Sequence, residues 1–413
     1  MVQNKTITPR RTDRWIILLA FAAFISIGLP DGLLGVAWPS MHSSFSVRLD
    51  QLGILLAALV IGFLVSTSLS GALLAWLGIG RLLAASAGLT GLALIGYTIV
   101  PLWGLLLALA VCAGLGAGAI DAGLNNVIAR RYRRLLYLLH AMFGLGAALG
   151  PWIMTASLQL STWRSGYVIV GTLQILLAAA FLITAKRWDD SPKPEQEAID
   201  ETPQASLIES LRLPRVWAGI LMFVIYTGLE VSVGQWSFTL LTESRGVQVE
   251  LAGFFVGLFW GTLTVGRLLS TWIADLLGER RFLRLSFIGI ALGSLLMLLN
   301  LQNWLSLAAL PLIGFAMAPV FPALIGSTDE RVGQAHVSNA IGFQVGAAAL
   351  GGALLPGLAG IATRIATLEA IALTHVAGAF IAPLMFEGIS RMANRTVEQI
   401  DSQAAPPALD SKA

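Results

Sequence analysis

The sequence predicts an all-α polytopic membrane protein, with twelve transmembrane helices in two pseudo-symmetric six-helix bundles. Three observations lead there. The 413 residues are 56% hydrophobic and 12% charged, where an ordinary soluble domain is about 25% charged, and the mean hydropathy is +0.78. Apolar runs long enough to cross a bilayer, about 20 residues each, occur twelve times, and one long polar stretch at 187–214 divides them six and six. Short segments also recur 200 residues apart: Gly28-Leu29 as Gly228-Leu229, the turn at Gly78–Arg81 as that at Gly278–Arg281, Gly114–Ala117 as Gly314–Met317, and Gly146–Ala148 as Gly346–Ala348. A duplicated half of this kind places a solute site between the halves, near the bilayer midplane.

The elements follow in order. Residues 1–14 carry Lys5, Arg10, Arg11 and Arg14, and the apolar segment behind them is too long for a signal-peptide core, so it reads as a retained first helix. The first bundle, 15–186, holds spans at 15–38, 51–76, 82–101, 104–128, 137–160 and 166–186. The linker 187–214 is rich in acids and prolines (Asp189, Asp190, Pro192, Pro194, Glu195), and its Ala205–Leu213 piece fits either a short amphipathic surface helix or a solvated strand of chain. The second bundle, 215–387, holds spans at 215–240, 251–275, 282–300, 304–327, 335–360 and 366–387, and a polar tail, 388–413, follows. With both termini in the cytoplasm, the inner segments hold 21 Lys and Arg, the outer loops hold four, and Arg267 is left within a span. That asymmetry fixes the expected orientation. The expected location is the bacterial cytoplasmic membrane. Most tryptophans sit at span ends as interfacial anchors, while Trp152, Trp236 and Trp260 lie deeper.

Several function classes are excluded. The pI of about 9.2 is no nucleic-acid footprint, because the basic residues are sorted by membrane side rather than gathered on one face. Cys112 is the single cysteine, and His42, His140, His336 and His375 lack metal-ligand spacing. No nucleophile–base or metal constellation marks an enzyme, and no cofactor is expected. The expected partners are a small-molecule substrate, a proton and the lipid bilayer, with the monomer as the working unit.

Three carboxylates inside spans carry the chemistry. A charge at the bilayer centre costs about 2.5–3.5 kcal/mol on insertion scales, so it is rarely kept without a use. Asp31 lies in Gly28-Leu-Pro-Asp-Gly32, where proline and glycines are expected to break the first helix around it. Asp121 and Asn125, four apart, share one face of the fourth span. Glu230 falls near the middle of the seventh span with Tyr226 one turn before it and Gln235 and Trp236 after it; a structural pair with Arg267 is its alternative role. His140 in the fifth span, Asn339 and Gln344 in the eleventh, and the indole of Trp260 complete the candidate solute-binding set.

These motifs resemble the major facilitator superfamily over essentially residues 14–390. The second copy of its turn motif keeps Asp275, Gly278 and Arg280-Arg281, with Arg267 upstream; the first keeps Gly71, Gly78 and Arg81 but has Ala75 where the acid would be. The resemblance implies a gating brace formed by Gly78, Arg81, Arg267, Asp275, Gly278 and Arg281, with Asp275 meeting the start of the eleventh helix. Within the superfamily, Ala119–Asn126, Leu139–Ala147 and Phe321-Pro322 look like the fucose permease group of proton–sugar symporters. That likeness implies alternating-access, proton-coupled symport of a sugar or similar polar solute, with Asp121 and Asp31 as coupling acids and Glu230 as a third. The string Gly146-x-x-x-Gly150-Pro151 resembles instead the core of a drug–proton antiporter motif, although Met154-Thr155 replaces its later glycines. Export of drugs or lipophilic cations is therefore the alternative, and a lipid flippase or non-transporting sensor stands behind it.

Overall fold

The computed structural model describes residues 11–132, 135–189 and 205–404. Lys5, Arg10, Arg133, Arg134, Lys412 and the acidic part of the linker from Asp190 onward lie outside the described residues. Among those described, twelve helices are long and apolar enough to cross a membrane.

The first half comprises α1 (Arg11–Ser44), α2 (Leu52–Leu77), α3 (Ile79–Tyr97), α4 (Trp103–Arg131), α5 (Leu136–Leu160) and α6 (Trp163–Asp189). A short helix, α7 (Leu207–Leu211), precedes the second half: α8 (Pro214–Thr239), α9 (Val249–Leu277), α10 (Glu279–Leu299), α11 (Asn303–Met317), α12 (Val320–Gly326), α13 (Thr328–Val332), α14 (Val337–Ile365) and α15 (Ala370–Ala404). Packing repeats the internal duplication. In the first half α1 lies on α5, α2 on α4, and α3 on α6; in the second, α8 lies on α14, α9 on α11, and α10 on α15. The repeated turns match too. Gly78 and Gly278 have φ of 73° and 80°, left-handed values that a residue without Cβ adopts at no steric cost.

Two expectations need correction, and one open alternative is decided. The first helix is not broken at Asp31, because α1 runs unbroken through Pro30. Pro30 lacks the N–H that would bond the Ser26 carbonyl, and Gln174 of α6 supplies it instead, Nε2 to O at 3.1 Å. The glycines nearby serve close packing rather than a break: a Cβ at Gly28 or Gly32 would fall 2.2 Å from a carbonyl oxygen of α5. The tenth span does break, after Met317, where Pro319 and Pro322 deny the backbone two donors. The linker piece forms α7, closed by a Ser206–Glu209 capping box and docked on the second half, with Ala205 N–H donating to Ala335 O at 2.9 Å.

The halves meet on the side opposite the chain termini. There α2 and α14 come so close that a Cβ on Gly53 would sit 2.5 Å from Gly357 Cα, and α1 meets α8 at Gly35 and Gly234. Alongside, α5 runs against α9 from Gly144–Thr264 to Thr155–Gly253, ending in a Gln159–Glu250 hydrogen bond of 2.6 Å. Toward the terminal side, Gly71 of α2 and Gly342 and Gly346 of α14 have open space where a Cβ would stand. The molecule is closed at one end and parted at the other.

Candidate functional site

Asp31, on α1, is exposed, and it also forms part of the wall of a pocket of about 50 Å³ within the first half. Pro30, Thr90, Tyr97 and Tyr167 share that wall, the remainder being apolar side chains of α1 to α4. The Tyr97 and Tyr167 rings meet edge to face at 5.4 Å, and Tyr97 Oη is buried with no hydrogen-bond partner. Asp121 is half-buried on α4 and accepts a hydrogen bond from Asn125 Nδ2 at 3.1 Å. No ion pair joins Asp31 or Asp121 to a basic side chain among the described residues.

Glu230 is different. Arg267 of α9 reaches it with Nη2 at 3.0 and 3.2 Å from the two carboxylate oxygens, the pairing that was its alternative role. Tyr226 Oη lies 2.7 Å from Glu230 Oε2 and 2.7 Å from the Met317 carbonyl, exposed by the break after α11. One hydroxyl proton faces two acceptors here.

The remaining predicted residues separate into two groups. His140 is exposed, touching Phe24 edge to face at 5.6 Å. Gln235 donates through Nε2 to the Asp31 carbonyl at 2.9 Å, joining α8 to α1, while its Oε1 is buried without a partner. Trp260 Nε1 is likewise unpartnered, and its ring fills the space beside Gly234. These three sit where the halves face each other.

The other group is spent on structure. Trp236 is fully buried and donates to the Pro356 carbonyl at 2.8 Å. Asn339 binds the linker, Nδ2 to Ala205 O at 2.8 Å and to Ser210 Oγ at 3.0 Å. Gln344 is buried and accepts from Thr328 Oγ1 at 3.0 Å, beside Gly219. Of the brace residues, Gly78 and Gly278 make the turns, Arg267 pairs with Glu230, and Arg81, Asp275 and Arg281 are exposed. Asp275 makes no hydrogen bond to α14 among the described residues, as expected of an end that stands open.

Sequence reasoning missed Tyr97, Tyr167, Thr90 and Gln174. The available signal was rarity: the chain has five tyrosines, and a buried tyrosine hydroxyl usually needs a partner.

A profile of the Major Facilitator Superfamily matches residues 16–356. The chain is 24% identical over 429 aligned positions to "Sodium-dependent glucose transporter 1A" of Mus musculus, covering 94% of this chain and 99% of that one. It is 25% identical to "Bypass of stop codon protein 6" of Saccharomyces cerevisiae over 63% of its own length, and spans 59% of that protein. Among solved structures it is similar to a D-xylose–proton symporter, with a TM-score of 0.72 at 14% identity over 89% of this chain and 96% of that one. Sugar transporters among its relatives agree with the fucose permease-like segments of α4 and α5. The chain belongs to the Major Facilitator Superfamily and is a membrane transporter.

Proposed function

We propose that the protein takes up a sugar or similar small polar solute by alternating access, in symport with protons, and that Asp121 and Asp31 are the coupling acids. The observation that carries this reading is the unequal neutralisation of the three membrane carboxylates. Glu230 has Arg267; Asp31 and Asp121 have no cation among the described residues. A charge held within a membrane span is costly, and a proton neutralises it while leaving the carboxyl free to release it. Coupling then requires only that the protonated and unprotonated forms favour different ends of the cycle.

A polar solute is supported by the side chains between the halves. His140 is exposed there, and Gln235 Oε1 and Trp260 Nε1 are held without partners at the closed end. An unpaired buried polar atom costs about 1–3 kcal/mol, so separation of the halves would offer both atoms to hydroxyl groups. With the charge asymmetry read as positive-inside, the open end faces the cytoplasm.

The test is purified protein in liposomes with an imposed pH gradient and labelled D-glucose and D-xylose as probes. The reading expects accumulation driven by an inward proton gradient, abolished in Asp121→Asn. Expulsion of a lipophilic cation in exchange for protons, with no sugar moved, would establish the antiporter instead. Accumulation driven by sodium at equal pH would keep the solute and replace the ion.

A further inference from the structure

The floor of the open cleft is set by helix register. Between α5 and α9 the contacts Thr155–Gly253, Trp152–Gly257, Ala148–Gly261 and Gly144–Thr264 run antiparallel in step. Gly144–Thr264 is the last of these before the halves part, and the same register places His140 level with Arg267 one helical turn beyond it. Phe24 of α1 touches one side of the His140 ring at 5.6 Å, and Gly144, a turn further on, faces α9, so the exposed ring looks into the gap between them. Arg267 is placed in the same way. Its guanidinium leans on α8 through Glu230, and Thr264, one turn back, faces α5, so its free flank looks into that gap as well.

The ion pair leaves part of Arg267 unspent. Nη2 reaches both Glu230 oxygens, at 3.0 and 3.2 Å, and Tyr226 Oη fixes the same carboxylate at 2.7 Å. Nε is buried without a partner. Nη1 makes no hydrogen bond among the described residues either, but it is not closed off from the surface. The Arg267 side chain keeps 28% of its surface, against 9% for Glu230, so an entering solute meets the guanidinium edge rather than the carboxylate. Guanidinium donors lie in one fixed plane, and those on Nη1 have no acceptor here.

The chemistry favours a neutral polyol. Glu230 already balances the Arg267 charge, so a carboxylate or phosphate would carry an uncompensated charge into a gap that closes around it, at high cost. A sugar hydroxyl carries none. It accepts from Nη1 through a lone pair, and its own proton is left for a ring nitrogen of His140, which accepts or donates according to its tautomer.

We propose that Arg267 is a solute-binding residue, whose Nη1 donates to a hydroxyl of a neutral polyol that His140 holds from the opposite half. Glu230 and Tyr226 are then positioning residues that aim the guanidinium. This role rests on the polar-solute reading and adds to it a residue, a solute class and a reason for closure. A solute gripped from both halves binds better as the open end narrows, and such a difference in affinity is what moves the equilibrium.

Equilibrium binding of labelled D-glucose to the full-length protein in nanodiscs, at one pH and with no gradient, tests it. Each monodeoxyglucose and D-glucuronate serve as competitors. Arg267→Lys keeps a cation for Glu230 but has no second nitrogen to turn toward the gap; His140→Ala removes the opposite side. Each variant should melt close to wild type and bind D-glucose about tenfold or more weakly, the effect of losing a hydrogen bond to a charged group. The loss in Arg267→Lys should vanish for the monodeoxyglucose that lacks the contacted hydroxyl, and wild type should bind D-glucuronate no better than D-glucose. Wild-type affinity in folded Arg267→Lys overturns the role, and so does a loss equal for D-glucose and every monodeoxyglucose, which is what a purely structural change produces. Unchanged binding in His140→Ala overturns the grip from two halves, and tighter binding of D-glucuronate overturns the neutral class. Should Arg267→Lys not fold, the double variant Arg267→Met, Glu230→Gln, which strands no charge, takes the same comparison. Wild type that binds none of these sugars overturns the polar-solute reading itself, a result distinct from each of the others.

Discussion

At the scale of single residues, the decisive contrast is between a carboxylate that has a cation and two that do not. Glu230 and Arg267 sit in the second half with Tyr226 as a third member. Removing the cation from a buried pair leaves the other charge uncompensated, at a cost of about 3–5 kcal/mol; Arg267 is partly open on one side, which places Arg267→Met at or below the lower end. Thermal unfolding in detergent should therefore show a clear loss for Arg267→Met. The loss should be smaller for the double variant Arg267→Met, Glu230→Gln, in which no charge is stranded. Equal losses would mean that the pair contributes through packing alone. Sequence spacing named both partners but could not choose between transport and pairing for Glu230, because the choice depends on α9 facing α8 at that depth. Asn339 and Gln344, whose amides read as solute ligands, are bonded within the protein in this conformation. Their partners are backbone and side chains of segments distant in sequence, which no periodicity reveals.

At the scale of elements, helix existence was legible throughout, since length and hydropathy decide it. Ends and breaks were less so. The first helix contains the strongest local breaker signal in the chain, yet it stays whole because Gln174 reaches across from α6 to the freed carbonyl. Loop order was invisible in sequence. Arg245, after α8, is buried and donates to Glu369, before α15, at 2.6 and 3.0 Å, to Ser306 of α11 at 2.8 Å and to the Met297 carbonyl of α10 at 2.7 Å. One guanidinium thus ties the loop ends of the second half together. The hydrogen bond from Arg245 holds the Glu369 carboxyl below its usual range. A depressed acid stabilises the fold fully above its unfolded-state value, about 4.3, and loses that contribution as pH falls through the folded-state value. Wild type should accordingly melt higher than Glu369→Gln at neutral pH, and the gap should narrow on acidification below about pH 4. A gap that is constant with pH would assign the effect to something other than the charge.

At the scale of the whole molecule, the repeat predicted two halves, and their packing pairs correspond one for one. Which end would be closed could not be read from sequence, because both states use the same helices with different neighbours. In the structure two kinds of contact hold the closed end. One is polar: Gln159–Glu250 at 2.6 Å, between exposed side chains, and Arg364–Asp50 at 3.9 Å, in which Arg364 is exposed. The other is backbone apposition, of Gly53 with Gly357 and of Gly35 with Gly234 and Gln235. Exposed pairs contribute little once solvent screening and side-chain entropy are counted. Backbone apposition is all-or-none, because packed interfaces do not deform continuously. Gly53→Leu should therefore displace the population toward opening on this side, whereas Glu250→Ala combined with Arg364→Ala should shift it far less. Spin labels on Ser43→Cys and Thr367→Cys, exposed residues on the two halves at that end, with Cys112→Ser removing the native thiol, report the separation by pulsed dipolar spectroscopy. A longer distance in Gly53→Leu with a near-native distribution in the double alanine variant is the expected pattern. The reverse pattern would make the polar pairs the gate and the glycine contact incidental.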